Sequence, residues 1–128
     1  MTPQELRHTG DWNAAFECAM RDEIRAAHGY TGSLAPFTTS DVAEVIALSA
    51  GENDERSWVG AFRLTDGRFA FVSAWCDYTG WGCQDGGYAR LASSLEDLQR
   101  LGMGDEDRER LFPGLTTELA RREQQGAA

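Results

Sequence analysis

Residues 58–88 read WVGAFRLTDGRFAFVSAWCDYTGWGCQDGGY, and they decide the fold. Eight of the chain's thirteen aromatic residues lie in this stretch, with two of its three cysteines. Asp66-Gly67 is a dipeptide favoured in a two-residue hairpin turn, whose central positions both need positive φ. Counting outward pairs Thr65 with Arg68, Leu64 with Phe69, Phe62 with Phe71, Gly60 with Ser73 and Trp58 with Trp75. Side chains alternate along a strand, so this register predicts a β-hairpin over 57–75 with its large aromatics on one face. The other face carries Arg63/Ala70, Ala61/Val72 and Val59/Ala74 and is smaller and mixed. A slip of one residue would turn the aromatics outward.

An aromatic face needs a cover. From Asp11 to His28 the residues Trp12, Ala15, Phe16, Ala19, Met20, Ile24 and Ala27 recur at three- and four-residue steps, which predicts an amphipathic helix. Thr9 or Asp11 can cap its start and Gly29 can end it. Residues 30–37 read as a turn-rich connector. The spacing of Val42, Val45, Ile46 and Leu48 predicts a second helix over 40–49, ended by Gly51 and followed by the polar loop GENDERS. Tyr88 to Ala92 suits a third antiparallel strand. Ser93 or Ser94 opens a helix through Leu101, the spacing Ser93 to Glu96 matching a capping box. Asp105 can cap a short helix to Phe112, stopped by Pro113-Gly114, and the tail from Leu115 suits a helix to Arg122. The expected architecture is α+β: one domain over 1–128 with loose ends at 1–10 and 123–128. In it, a two- or three-stranded antiparallel sheet packs against three to four helices lying mainly on one face.

Composition excludes more than it assigns. A formal charge of −9 lacks the basic footprint of a phosphate-backbone binder, so nucleic acid is disfavoured as a partner. The same charge opposes anionic membrane surfaces, and no apolar run is long enough to span a bilayer. Acidic chains can bind basic proteins or imitate nucleic acid, although net charge speaks first to solubility. All twelve basic residues are arginine, which rules out lysine Schiff-base chemistry and the lysine-bearing phosphate loop. With no export pattern at its start and three cysteines, the chain is expected to be cytoplasmic and without a disulfide framework.

Residues 76–87 are what hairpin physics leaves unexplained, and they are expected to form a loop. Glycines there let the backbone approach a partner closely, while Tyr78 and Trp81 offer the contact area of interface anchors. The candidate binding residues are Asp77, Tyr78, Thr79, Gly80, Trp81, Gln84 and Asp85; the alternative for Trp81 is a plug closing the open end of the aromatic face. Cys76 and Cys83 could hold zinc with Cys18, His8 or His28, but their six-residue gap is longer than a zinc knuckle's. They could also bridge each other, or one could act as nucleophile with a histidine base and Asp77 or Asp85 as orienting group. The nearby acids would raise a thiol's pKa and work against that chemistry. Glu52, Asn53, Asp54 and Glu55 have oxygen ligands suited to a hard cation but lack the twelve-residue calcium pattern. Asn53 and Asp54 could instead fold their loop through side-chain to backbone hydrogen bonds.

The run CDYTGWGCQDGG, preceded by DGRFAFVSAW and GENDERSW, resembles a group of small actinobacterial and actinophage proteins. An acidic Gly-Glu-Asn-Asp loop, a Trp-led hairpin and a Cys-Asp-Tyr-Thr-Gly-Trp-x-Cys-Gln segment recur in them in that order. The matching positions are Gly51 to Asp54, Trp58 and Cys76 to Gln84, and the resemblance covers roughly residues 50–111. It implies phage or mobile-element association and carries over no catalytic residue. Two functional classes follow. The first is a non-enzymatic module that binds a protein partner or forms a homo-oligomer through 76–87, with no cofactor. The second is a small metal-binding or Cys/His-dependent enzyme centred on the same segment.

Overall fold

The turn at Asp66-Gly67 forms, but as a three-residue loop. In the computed structural model, which describes residues 1–26 and 36–126 (side chains of 23–26 excepted), only Gly67 of the turn has positive φ, +90°. Its N–H donates to the Leu64 carbonyl at 3.0 Å, and the Leu64 N–H donates to the Arg68 carbonyl at 2.8 Å. The Asp66 carboxylate accepts from the Arg68 N–H at 3.0 Å, which favours this form. A type I turn followed by a left-handed glycine consumes one residue more than the two-residue turn. The register therefore shifts by one: Arg63 faces Phe69, Phe62 faces Ala70, Ala61 faces Phe71 and Trp58 faces Ala74.

That shift separates the aromatics that the two-residue turn would have paired. Trp58, Phe62 and Leu64 share one face with Ala70, Val72 and Ala74, whereas Phe69, Phe71 and Trp75 point to the other. Both faces are consequently apolar, and both are covered. The expectation of helices mainly on one side is corrected accordingly.

Four strands form one antiparallel sheet in sequence order: β1 (Val42–Ser49), β2 (Trp58–Leu64), β3 (Phe69–Asp77) and β4 (Gly80–Ala92). On the first face lie α1 (Pro3–Arg7) and α2 (Gly10–Ala26). Trp12 and Phe16 of α2 meet Phe62 edge-on, with centroids 6.3 and 5.0 Å away. On the second face α3 (Leu95–Leu101) contributes Leu98 and α4 (Asp105–Leu111) contributes Leu111, with Met103 between them, against Val59, Ala61 and Phe71. Helix α5 (Leu115–Gly126) follows. The α+β class and antiparallel sheet stand; the described residues hold one more strand and one more helix than the upper counts expected.

The segment 40–49 is β1, not a helix. Two β-bulges, between Val42 and Glu44 and between Val45 and Ala47, each insert a residue opposite β2. They bring Val42, Val45 and Leu48 onto the first face at three-residue spacing, which imitates helical periodicity in the sequence. Residues 1–10 are not loose: Thr2 and Glu5 form a reciprocal capping box with Pro3 at the first turn, and Leu6 is buried. Helix α3 is capped by Ser94, which accepts from the Asp97 N–H at 3.1 Å, one residue beyond the expected Ser93 box. Gly104 rather than Asp105 precedes α4, and α5 runs on through 123–126, part of the expected loose end. The helix end at His28 and Gly29, and most of the 30–37 connector, lie outside the described residues.

Candidate functional site

The segment 76–87 folds as the end of a second hairpin, which replaces the expected loop. Asp77 pairs with Gly80 across a turn of Tyr78 and Thr79. The Asp77 carboxylate closes it by accepting from the Thr79 N–H at 2.9 Å and from the Thr79 hydroxyl. The ladder resumes only where Cys76 faces Asp85, so Trp81–Gln84 bulge out of β4. Gly80 and Gly82, at φ +96° and +101°, supply the left-handed backbone this excursion needs.

The bulge is anchored to the body of the protein. The Trp81 ring packs 5.1 Å from the Trp58 centroid, and its Nε1–H donates to Asp11 Oδ1 at 3.0 Å. Asp85 accepts from the Gly82 N–H at 2.7 Å and from Arg21 Nη1 at 2.8 Å. Arg21 also donates to Asp22 at 2.9 Å, and Asp22 in turn accepts from the Gly87 N–H at 3.0 Å. These bonds tie β4 to α2. The Gly82 N–H first, then the Arg21 guanidinium and the Cys18 thiol, hold the Asp85 carboxyl below the usual carboxylate range against the opposing effect of burial.

The thiols are free and differ in setting. Burial, followed by the charge of Asp85, pushes Cys18 up to about 11. Burial and the charges of Asp11, Asp77 and Asp85 raise Cys76, whose Sγ lies 3.4 Å from Asn53 Oδ1 as a hydrogen-bond donor. Cys83 is exposed on the bulge. His8 lies at the end of α1, and His28 is outside the described residues. Among the described residues no three His, Cys, Asp or Glu side chains come together as a metal site. A hollow of about 310 Å³ between α2 and the Phe37–Thr39 segment is lined, among the described residues, by Phe16, Met20 and Phe37.

The GENDERS loop lies beside the same hairpin end. Asp54 adopts φ +62° and its N–H donates to the Cys76 carbonyl at 3.1 Å. Glu52 closes the loop by donating its N–H to the Arg56 carbonyl at 2.8 Å. A hydrogen bond shared with Glu52, then the charges of Glu52 and Asp54, raise the Glu55 carboxyl above its ordinary value.

Of the expected binding residues, Tyr78, Thr79 and Gln84 are exposed, while Asp77, Gly80, Trp81 and Asp85 are half-buried. Trp81 and Asp85 are committed to internal bonds, so Trp81 takes the plug role. Sequence reasoning placed Trp75 in the covered aromatic face. The shifted register instead leaves it 47% exposed, across from Gly86, where an added Cβ would come within 2.6 Å of the indole. Tyr78, at the turn, is 77% exposed. A second polar group, also missed, fastens α4 to the sheet. Tyr88 donates to Asp107 at 3.3 Å, and Arg110 donates to Ser49 Oγ at 2.6 Å and to the Ala50 carbonyl at 3.0 Å. Its signal was only the i, i+3 spacing of Asp107 and Arg110 on α4.

Comparison of the chain with protein-family models, curated proteins and solved structures returned no match. Among the described residues, no helix is long and apolar enough to cross a membrane.

Proposed function

We propose that this chain is a small non-enzymatic binding module, associated with phage or mobile elements, that engages a protein partner through the outer end of the β3–β4 hairpin. One observation carries the reading: Trp75 and Tyr78, two of the four large hydrophobic side chains exposed among the described residues, stand three positions apart at this end. Clustered exposed aromatics mark interaction sites, whereas an isolated exposed hydrophobe does not. Their support is rigid, since the bonds from Trp81 to Asp11 and from Arg21 to Asp85 hold the strands in place before any partner arrives. Preorganisation lowers the cost of binding. The phage or mobile-element association rests on the sequence resemblance alone.

Selection from a random peptide display library tests the binding reading, with the Trp75→Ala/Tyr78→Ala double variant as counter-target. Peptides that hold the wild-type protein and lose the variant are expected. Recovery only of peptides that bind both equally would defeat the proposal. Among the described residues the enzyme or metal reading gains no supporting geometry, because Cys76 and Cys83 sit in different environments, one buried and one exposed.

A further inference from the structure

We infer that the partner segment taken by this hairpin end is cationic, carrying arginine or lysine side chains. The inference rests on the binding reading above and names the chemistry of its ligand. Residues 51–57 and 76–87 contain five acids, Glu52, Asp54, Glu55, Asp77 and Asp85, against one arginine, Arg56. Arg56, 3.7 Å from Glu52, and Arg110, which donates to the Ala50 carbonyl at the start of the loop, offset only part of that charge. Asp85 is matched by Arg21. Excess negative charge therefore remains on the GENDERS loop, whose Asp54 N–H donates to the carbonyl of Cys76, next in the chain to Trp75, and at Asp77, next in the chain to Tyr78.

The two kinds of group call for the same ligand. An indole or phenol face attracts a cation through its quadrupole, and arginine stacks on such rings most often. The surrounding carboxylates steer the same cation and hold it by charge-assisted hydrogen bonds. A polyanion is repelled. A second copy of this chain, itself at −9, would bring acid against acid at this surface. An anionic lipid surface meets the same repulsion. A basic protein segment is the occupant that remains.

The test uses the full chain and two fluorescent dodecapeptides, one of alternating Arg and Gly and one of alternating Glu and Gly, followed by anisotropy. The arginine peptide is expected to bind and to weaken several-fold between about 0.05 and 0.3 M salt. Trp75→Ala should weaken it about tenfold. Asp54→Asn, which suits the positive φ, and Asp77→Asn should each weaken it several-fold. Glu96→Gln, in the first turn of α3 beyond the far end of β4, should leave it unchanged. Equal binding of both peptides, or arginine-peptide binding indifferent to Trp75→Ala, would overturn the inference. So would a dimer in sedimentation that Trp75→Ala dissolves. The display selection separates the two proposals. Binders that need Trp75 and Tyr78 but are not enriched in Arg or Lys sink the cationic partner and leave the binding reading standing; no such binders at all sinks the binding reading itself.

Discussion

Gly67 shows how much one residue can settle. Its positive φ closes a three-residue loop in place of a two-residue one, and the single added residue sends Phe62 and Phe71 to opposite faces. Gly67→Ala should cost ~1 kcal/mol, because a Cβ is disfavoured in left-handed backbone, and Gly67→Asn should cost less; urea midpoints measure both. Of the two tryptophans flanking the 76–80 turn, Trp81 takes the plug role among its two expected ones, and Trp75 leaves the covered face where the two-residue turn would have put it. Trp81→Ala removes the contact with Trp58 and the bond to Asp11, and should lower stability by about 2 kcal/mol. Trp75→Ala should stay within ~0.5 kcal/mol of wild type, since its ring is half in solvent. Thiol chemistry follows burial in the same way. Iodoacetamide at pH 8 should label Cys83 first, with Cys18 and Cys76 protected in the native state; mass spectrometry of the peptides reads the order.

Among elements, β1 is the one whose sequence pattern misleads. Its two bulges place Val42, Val45 and Leu48 three apart on one face, and a periodicity argument cannot tell that from a helix. Only the partner strand, present in three dimensions and distant in sequence, shows where the extra residues go. The polar ties between elements also make opposite predictions about pH. Asp85, which joins β4 to α2, has its folded pKa lowered by the Gly82 N–H and then the Arg21 guanidinium, so its stabilisation is present above the unfolded carboxylate value and is lost as pH falls through the folded value. Asp85→Asn should destabilise at pH 7 and much less at pH 3. Asp107, on the face of α4 turned to the sheet, has its carboxyl raised by burial, outweighing the Tyr88 hydrogen bond. Its folded state holds a proton more tightly, so its contribution falls as pH rises from the unfolded value through the folded one. Asp107→Asn should therefore be best tolerated at neutral pH and costlier in acid. Urea denaturation across pH 3–7 checks both signs.

For the whole molecule, a sheet apolar on both faces requires two covering layers, with α1 and α2 on one side and α3 and α4 on the other. A charge of −9 on so small a body repels itself. The melting temperature should accordingly rise as salt shortens the Debye length from ~30 Å at about 0.01 M to ~8 Å at about 0.15 M; calorimetry in sodium chloride reads this, and a falling value would show that ion pairs outweigh repulsion. Local signals were legible in the chain itself: the β2–β3 hairpin, α2 from its apolar steps, and α3 to α5 from caps and breaks; the 76–87 segment, expected as a loop, is the end of a second hairpin whose ties to α2 no local signal shows. By itself the sequence determined the α+β class, the acidic surface, the absence of lysine chemistry and most of the helices, because these depend on residue type and near-neighbour spacing. Tertiary structure alone decided the register, the strand identity of β1, the packing of Trp81 on Trp58 and the exposure of Trp75. Each of those turns on which distant segment lies opposite, and an offset of one residue in a pleated strand reverses the face on which a side chain meets protein or water.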